Sequence, residues 1–162
     1  MGANESHGHG KAKGNIFIEL DHPCFNAGEY VTGKIHLYVK ESFSARRLCV
    51  LIKGEEKTKV KRDDGETIDR YKSVEKIFHQ ENDVFYFADD HCPAGQFTFP
   101  FTIQIPHWLP SSFFLKHHSH PEKVKSMIKY KVKAHVESLD HHGGKIDGKR
   151  VLIVRPPPPM SV

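Results

Sequence analysis

The sequence has little that would hold it in a membrane, cross-link it or make it an enzyme. Its longest apolar stretches, such as Val84 to Ala88, fall far short of the ~20 residues a membrane-spanning helix needs. The opening Met1-Gly2-Ala3-Asn4-Glu5-Ser6-His7 carries no apolar core like that of a secretory signal, so a soluble chain kept inside the cell is expected. Cysteine is scarce. Cys24, Cys49 and Cys92 are odd in number, far apart and without a CxxC pair, which argues against both a disulfide framework and a four-thiolate zinc site. Neither a nucleophile-elbow motif nor a glycine-rich phosphate loop is present, so no catalysis is expected. No segment of helical periodicity stands out.

What is there is alternation. Val31, Gly33, Ile35, Leu37 and Val39 share one face of an extended segment, while Thr32, Lys34, His36 and Tyr38 share the other. The same pattern places Phe97, Phe99, Phe101, Ile103 and Ile105 together, opposite Thr98, Pro100, Thr102 and Gln104. Pro100 cannot donate to a ladder and predicts an edge or a bulge there. Ile128, Tyr130, Val132, Ala134 and Val136 alternate with Lys129, Lys131, Lys133 and His135, a strand with a basic solvent face. Further strands are predicted at 15–20, 45–59, 68–79, 84–88 and 149–154. Asp21-His22-Pro23, Asp63-Asp64-Gly65, Cys92-Pro93-Ala94-Gly95 and His142-Gly143-Gly144 punctuate them. Many short strands with such turns predict an all-β, immunoglobulin-type antiparallel sandwich over residues 15–155. Residues 1–14 are too polar to pack and read as a disordered leader. Residues 156–162, beginning Pro156-Pro157-Pro158-Pro159, read as a proline-rich linker to a second domain.

Net charge is only +4, with 20 acidic residues among the lysines and arginines. The two locally basic segments, Lys53 to Arg62 and Lys116 to Lys133, lack the interleaved aromatics of a single-strand groove. Nucleic acid is therefore not an expected partner, and a solvated strand face plus a charged loop is the plain reading.

Several segments together resemble the N-terminal domain of the arrestin family, most closely its α-arrestin branch. Ile18-Glu19-Leu20-Asp21 through Ala27-Gly28-Glu29-Tyr30-Val31-Thr32-Gly33-Lys34-Ile35 is similar to the opening hairpin with its G-x-x-V-x-G core. Gly95-Gln96-Phe97-Thr98-Phe99-Pro100-Phe101, Ile105-Pro106 and Leu109-Pro110-Ser111-Ser112-Phe113 resemble the family's F-P-F, L-P and L-P-S-S-F run. Ile128-Lys129-Tyr130-Lys131-Val132-Lys133-Ala134 matches the strand that follows. The resemblance implies a non-enzymatic adaptor that binds cytoplasmic tails of membrane proteins in endocytosis, protein trafficking or signalling, together with trafficking or ubiquitin-ligase machinery. It implies a cytoplasmic location, peripheral at the plasma membrane or endosomes. A retromer-type coat subunit is the alternative within the fold, and an extracellular immunoglobulin-like module the alternative outside it. The first strand, Ile16-Phe17-Ile18-Glu19-Leu20, lacks the paired lysines with which receptor arrestins sense phosphate. Residues 156–162 contain no tyrosine, hence no Pro-Pro-x-Tyr motif for a ubiquitin ligase.

The candidate partner-binding residues are Lys57, Lys59, Lys61 and Arg62, on a hairpin placed like the arrestin finger loop, and Lys129, Lys131 and Lys133. They suit acidic tails or an anionic membrane surface. Met1-Gly2-x-x-x-Ser6 fits an N-myristoylation acceptor at Gly2. Thirteen histidines raise the question of a metal, but the densest, His117, His118, His120, His141 and His142, sit in two loops. No metal and no cofactor are expected. Leu109-Pro110-Ser111-Ser112 reads as structural, restricting the backbone where the chain crosses between sheets, with hydroxyls free to satisfy turn amides. Arg155 resembles in position the arginine that receptor arrestins bury between domains, and without partners in this segment it reads as an exposed linker residue.

Overall fold

The structure, a computed structural model, describes residues 13–140 and 145–160, which form ten strands in two open sheets. In chain order the strands are β1 (Gly14–Leu20), β2 (Cys24–Asn26), β3 (Tyr30–Val39), β4 (Phe43–Asp63), β5 (Ile68–Tyr86), β6 (His91–Cys92), β7 (Gly95–Gln104), β8 (Phe113–Ser119), β9 (Glu122–Ser138) and β10 (Asp147–Arg155). The small sheet runs β1-β3-β7 and the large one β2-β10-β9-β4-β5, with β6 added on β4 and β8 on β9. Pairing is antiparallel except for the short parallel contact of β2 with β10. The all-β sandwich is therefore as the alternation predicted, and among the described residues the only helical element is a 3-10 turn at Ala88–Asp90.

The inward faces follow the period of two. Val31, Ile35, Leu37 and Val39 of β3 and Ile103 of β7 meet Leu48, Val50 and Ile52 of β4 and Tyr130, Val132, Ala134 and Val136 of β9 in one buried cluster. Burying each such side chain contributes roughly 1.5–3 kcal/mol, which is what holds the sheets face to face. Pro100 pairs with Lys34 on β7, an edge strand, where a missing N–H need not cost a ladder bond.

Three expectations change. The predicted strands 68–79 and 84–88 are one strand through Tyr86, because β4 offers β5 an almost continuous partner: the polar run Gln80-Glu81-Asn82-Asp83 pairs with Ile52 back to Cys49, and a register shift at Leu48/Cys49 takes up Val84. The segment from Lys116, read as a charged loop, instead forms the hairpin of β8 and β9, closed by a turn with a cis His120–Pro121 bond. Ser112 satisfies a strand rather than a turn: its hydroxyl accepts from the Val154 amide at 2.9 Å, and its own amide donates to the Val154 carbonyl at 2.8 Å.

β4 has 21 residues, roughly 70 Å at about 3.3 Å each, far longer than the sandwich is deep. Its outer third therefore projects with parts of β5, β8 and β9 as a four-stranded ribbon, in which no residue from Glu55 to Asp63 is buried. The ribbon turns at Gly65, whose φ of +88° suits glycine, and the Asp64 carboxylate accepts the amides of Glu66 and Thr67 at 3.0 and 2.8 Å. At its root Gly54 lies opposite Tyr130, whose hydroxyl donates to the Pro110 carbonyl at 2.5 Å. A Cβ on Gly54 would come within 2.6 Å of the tyrosine ring. Gly54→Ala is therefore expected to cost about 1–3 kcal/mol of unfolding free energy by displacing that ring. Tyr130→Phe should cost about 1 kcal/mol by orphaning the Pro110 carbonyl. Urea unfolding checks both, and unchanged midpoints would contradict this account of the ribbon's root.

Candidate functional site

Side chains alternate across β4, so the inward set Val50, Ile52 and Gly54 fixes the orientation of every odd-numbered neighbour. Lys53, Glu55, Lys57, Lys59 and Lys61 project from the outer face of the large sheet. On β9 the buried Tyr130, Val132 and Ala134 force Lys129, Lys131 and Lys133 onto the same face, and the pattern continues to Lys123 and Lys125. The pairing of β4 with β9 is unbroken from Arg47 opposite Glu137 to Arg62 opposite Glu122, so both sets lie side by side. Six of the seven lysines and arginines picked out from the sequence thus share one face: Lys57, Lys59, Lys61, Lys129, Lys131 and Lys133. Arg62, even-numbered, falls on the opposite face between Asp69 and Glu122. Gly2, His141 and His142 lie outside the described residues.

Residues that the sequence reading did not single out complete the surface. Lys59 is flanked by Lys125 and Lys72, and Lys125 in turn by Lys116. One turn of the pleat further out, Lys61 is flanked by Lys123 and Arg70, and Lys123 by His118. One row thus runs across all four strands, and the other across β5, β4 and β9, with like charge directly opposite like charge, an arrangement that destabilises a sheet by roughly 0.2–1 kcal/mol per pair. Lys149, opposite Lys133, extends the basic face to β10. Burial, with Lys129, Lys149, Lys57 and Lys133 adding to it, lowers the ammonium pKa of Lys131 from its ordinary value. Glu55 sits among these cations, 2.7 Å from Lys53 and 3.2 Å from Lys57, and its carboxyl is held down to about 2, by Lys53 first and Lys57 next. Lys125 also lies over the Phe114 ring at 5.4 Å.

The other end of the same face is acidic. Arg47 donates to Glu137 at 2.6 Å and to Asp83, with Glu81 at 3.8 Å; Asp83 also accepts the Tyr86 hydroxyl at 2.5 Å. Beneath them Cys49 is fully buried, and burial pushes its thiol up to about 12, with Glu81 and Asp83 reinforcing and Arg47 opposing. Cys49, Glu81 and His135 offer donor atoms all within 4.8 Å of one another. By contrast, His117 and His118 alternate along β8 to opposite faces and His120 lies in the turn.

At the junction of β8 and β10, Phe113, Phe114, Val151 and Ile153 are exposed and line a shallow apolar groove of about 460 Å³. Among the described residues no helix is long and apolar enough to cross a membrane.

Comparison with known proteins sets this geometry in a family. The chain is 24% identical over 151 residues to arrestin domain-containing protein A of Dictyostelium discoideum, an alignment that covers 86% of this chain and 26% of that protein. It therefore spans about a quarter of its curated relative. Among solved structures, it superposes on the sporulation control protein Spo0M of Bacillus subtilis with a TM-score of 0.54 and 15% identity, covering 88% of this chain and 49% of the other. That likeness is one of fold alone. The model of the arrestin (or S-antigen) N-terminal domain matches residues 15–157, nearly the whole described sandwich, and the chain therefore belongs to the arrestin family.

Proposed function

We propose that this domain is a non-catalytic adaptor that holds acidic cytoplasmic segments of membrane proteins on the basic outer face of its large sheet, in endocytosis or a related trafficking or signalling step. The observation that carries the reading is the unbroken β4–β9 register, which gathers Lys57, Lys59 and Lys61 with Lys129, Lys131 and Lys133 on one surface. Such a field attracts carboxylates and phosphates and is screened by salt, since the Debye length is about 8 Å at physiological ionic strength. An anionic membrane surface would meet the same side chains, so a tail emerging from a bilayer and the lipid around it act on one face. The apolar groove beside Val151 and Ile153, close to Arg155 and the proline segment, supports the further reading that a second domain packs there.

Titration of a labelled acidic peptide, at low and at physiological salt, tests the proposal. Lys59→Glu with Lys61→Glu, and separately Lys129→Glu with Lys133→Glu, should each weaken binding by about tenfold or more and flatten its salt dependence. Thermal stability should hold or rise slightly in the ribbon variant, because opposed like charges are relieved. Unaltered binding in both variants, or binding indifferent to salt, would sink the assignment.

Glu55 gives an independent check. Its carboxyl sits at about 2 in the folded chain against an ordinary 4.5, so its ion pairs contribute in full above pH 4.5 and are lost as pH falls through about 2. Glu55→Gln should remove that acid-side dependence from a pH titration of unfolding and, by deleting the carboxylate within the cationic field, tighten the acidic peptide at neutral pH. Looser binding would show that Glu55 orders the lysines rather than competes with the ligand.

A further inference from the structure

The acidic end of the outer face brings together three side chains that a sandwich core does not require. Cys49 on β4 lies directly opposite His135 on β9, while Glu81 reaches in from β5, opposite Leu51, one pleat further along. The register shift at Leu48/Cys49 sets the offset between β4 and β5 at this point, a use of irregular pairing to aim side chains that recurs beside binding sites. The three donor atoms, a sulfur, an imidazole nitrogen and a carboxylate oxygen, fall within 4.8 Å of one another. Tetrahedral zinc spaces such atoms by about 3.5 Å, given bonds of about 2.3 Å to sulfur and about 2.0–2.2 Å to nitrogen and oxygen. Cys49 is fixed by burial beneath the outer face, but Glu81 is exposed and His135 only half-buried, so these two can close the gap by side-chain rotation.

Charge points the same way. Three carboxylates, Glu81, Asp83 and Glu137, surround one guanidinium, that of Arg47. Arg47 makes close bonds to Glu137 and Asp83, and Asp83 is tied in addition to Tyr86. Its contact with Glu81 is the long one, at 3.8 Å, leaving that carboxylate the least tied to Arg47; the Cys49 thiol donates to Asp83 at 3.8 Å, and Glu81 is the carboxylate that lies near both the thiol and the imidazole. Lys133 and Lys149 share the row of Glu81, on the far side of Leu51, whereas Asp83 and Asp147 flank the row of Cys49 and His135.

We infer that Cys49, Glu81 and His135 form a binding site for a zinc-class divalent cation, with water in the fourth position. The mixed thiolate, imidazole and carboxylate set suits a borderline ion and does not suit calcium or magnesium, which take oxygen ligands. On binding, the sulfur–metal bond forms as the Cys49 thiol gives its proton to solvent, and the imidazole and carboxylate add as neutral and anionic donors. The ion would join β5, β4 and β9 within the sandwich, short of the ribbon's root at Gly54. It is independent of the peptide-binding proposal, since the basic face does not enter it.

The test uses the full chain and cobalt(II) as a spectroscopic probe, followed by zinc displacement. One equivalent should produce a thiolate-to-metal charge-transfer band in the near ultraviolet and visible bands of a four-coordinate ion, both removed by zinc. Zinc should also raise the midpoint of thermal unfolding. Cys49→Ser should abolish the charge-transfer band, while Glu81→Gln and His135→Gln should each weaken binding about tenfold or more, as loss of one ligand requires. Cys24→Ser and Cys92→Ala should leave the band intact. Histidine-rich segments elsewhere in the chain can take up metal, but they yield no thiolate band. A band that survives in Cys49→Ser, or a folded wild type that shows none, overturns the site. If Cys49→Ser does not fold, the two surface variants decide, and unchanged spectra and affinity in both overturn it equally.

Discussion

The continuous pairing of β4 with β9 is the constraint on which the rest of this molecule depends. It begins among buried residues, with Leu48 opposite Val136 and Val50 opposite Ala134, and runs without a break to Arg62 opposite Glu122 at the far end of the ribbon. In the sandwich the register is held by the core, because a slip of one residue would carry Ile52, Tyr130 and Val132 into water. Beyond Gly54 no core remains to choose a face. The register there is inherited, and with it comes the placement of every lysine on the outer surface.

Inheritance explains how a sheet tolerates two rows of opposed cations. Left to itself, a ribbon with Lys116, Lys125, Lys59 and Lys72 abreast would pair poorly, and a short hairpin in water is marginal even without such repulsion. The backbone ladders of four strands hold it, anchored by Tyr130 seated on Gly54 and tied to the Pro110 carbonyl. Strain of this kind is characteristic of a surface kept for a partner rather than for stability. The same face changes sign along its length, from the lysines near the tip to the carboxylates around Arg47. An anionic ligand and a cation would thus be drawn to opposite ends of one sheet.

The family relation is consistent with this division. The match to an arrestin N-terminal domain takes in the sandwich over residues 15–157, and in this chain the segment Leu109-Pro110-Ser111-Ser112 is held where Ser112 links the start of β8 to Val154 of β10. Charges on the outer face are not required by that architecture. They are where the chain has freedom to specify what it binds.

Much of the fold was legible in the residues themselves. Alternation in Val31 to Val39, Phe97 to Ile105 and Ile128 to Val136 determined three strands and their buried faces, because a period of two has a single consequence wherever one side meets a core. Pro100 narrowed its strand to an edge or a bulge, since a residue without an N–H cannot fill a ladder's interior, and the pairing of β7 with β3 alone made it an edge. The lysines at 129, 131 and 133 were assigned to solvent for the same reason. Less could be read where the polar pattern lacks a buried side: β8 looked like a loop, and the second half of β5 looked like a separate strand. Only the tertiary structure decided which distant residues became neighbours. Arg62 looked like a companion of Lys61 along the chain, but it faces the other way. Lys72, Lys116 and Lys125 joined Lys59 through cross-strand pairing alone. Cys49, Glu81 and His135 carry no common spacing, so nothing local could associate them; strand order and a register shift in the sheet brought their donor atoms together. Local sequence specifies which way each side chain points, whereas hydrogen bonding between strands far apart in the chain specifies what it meets.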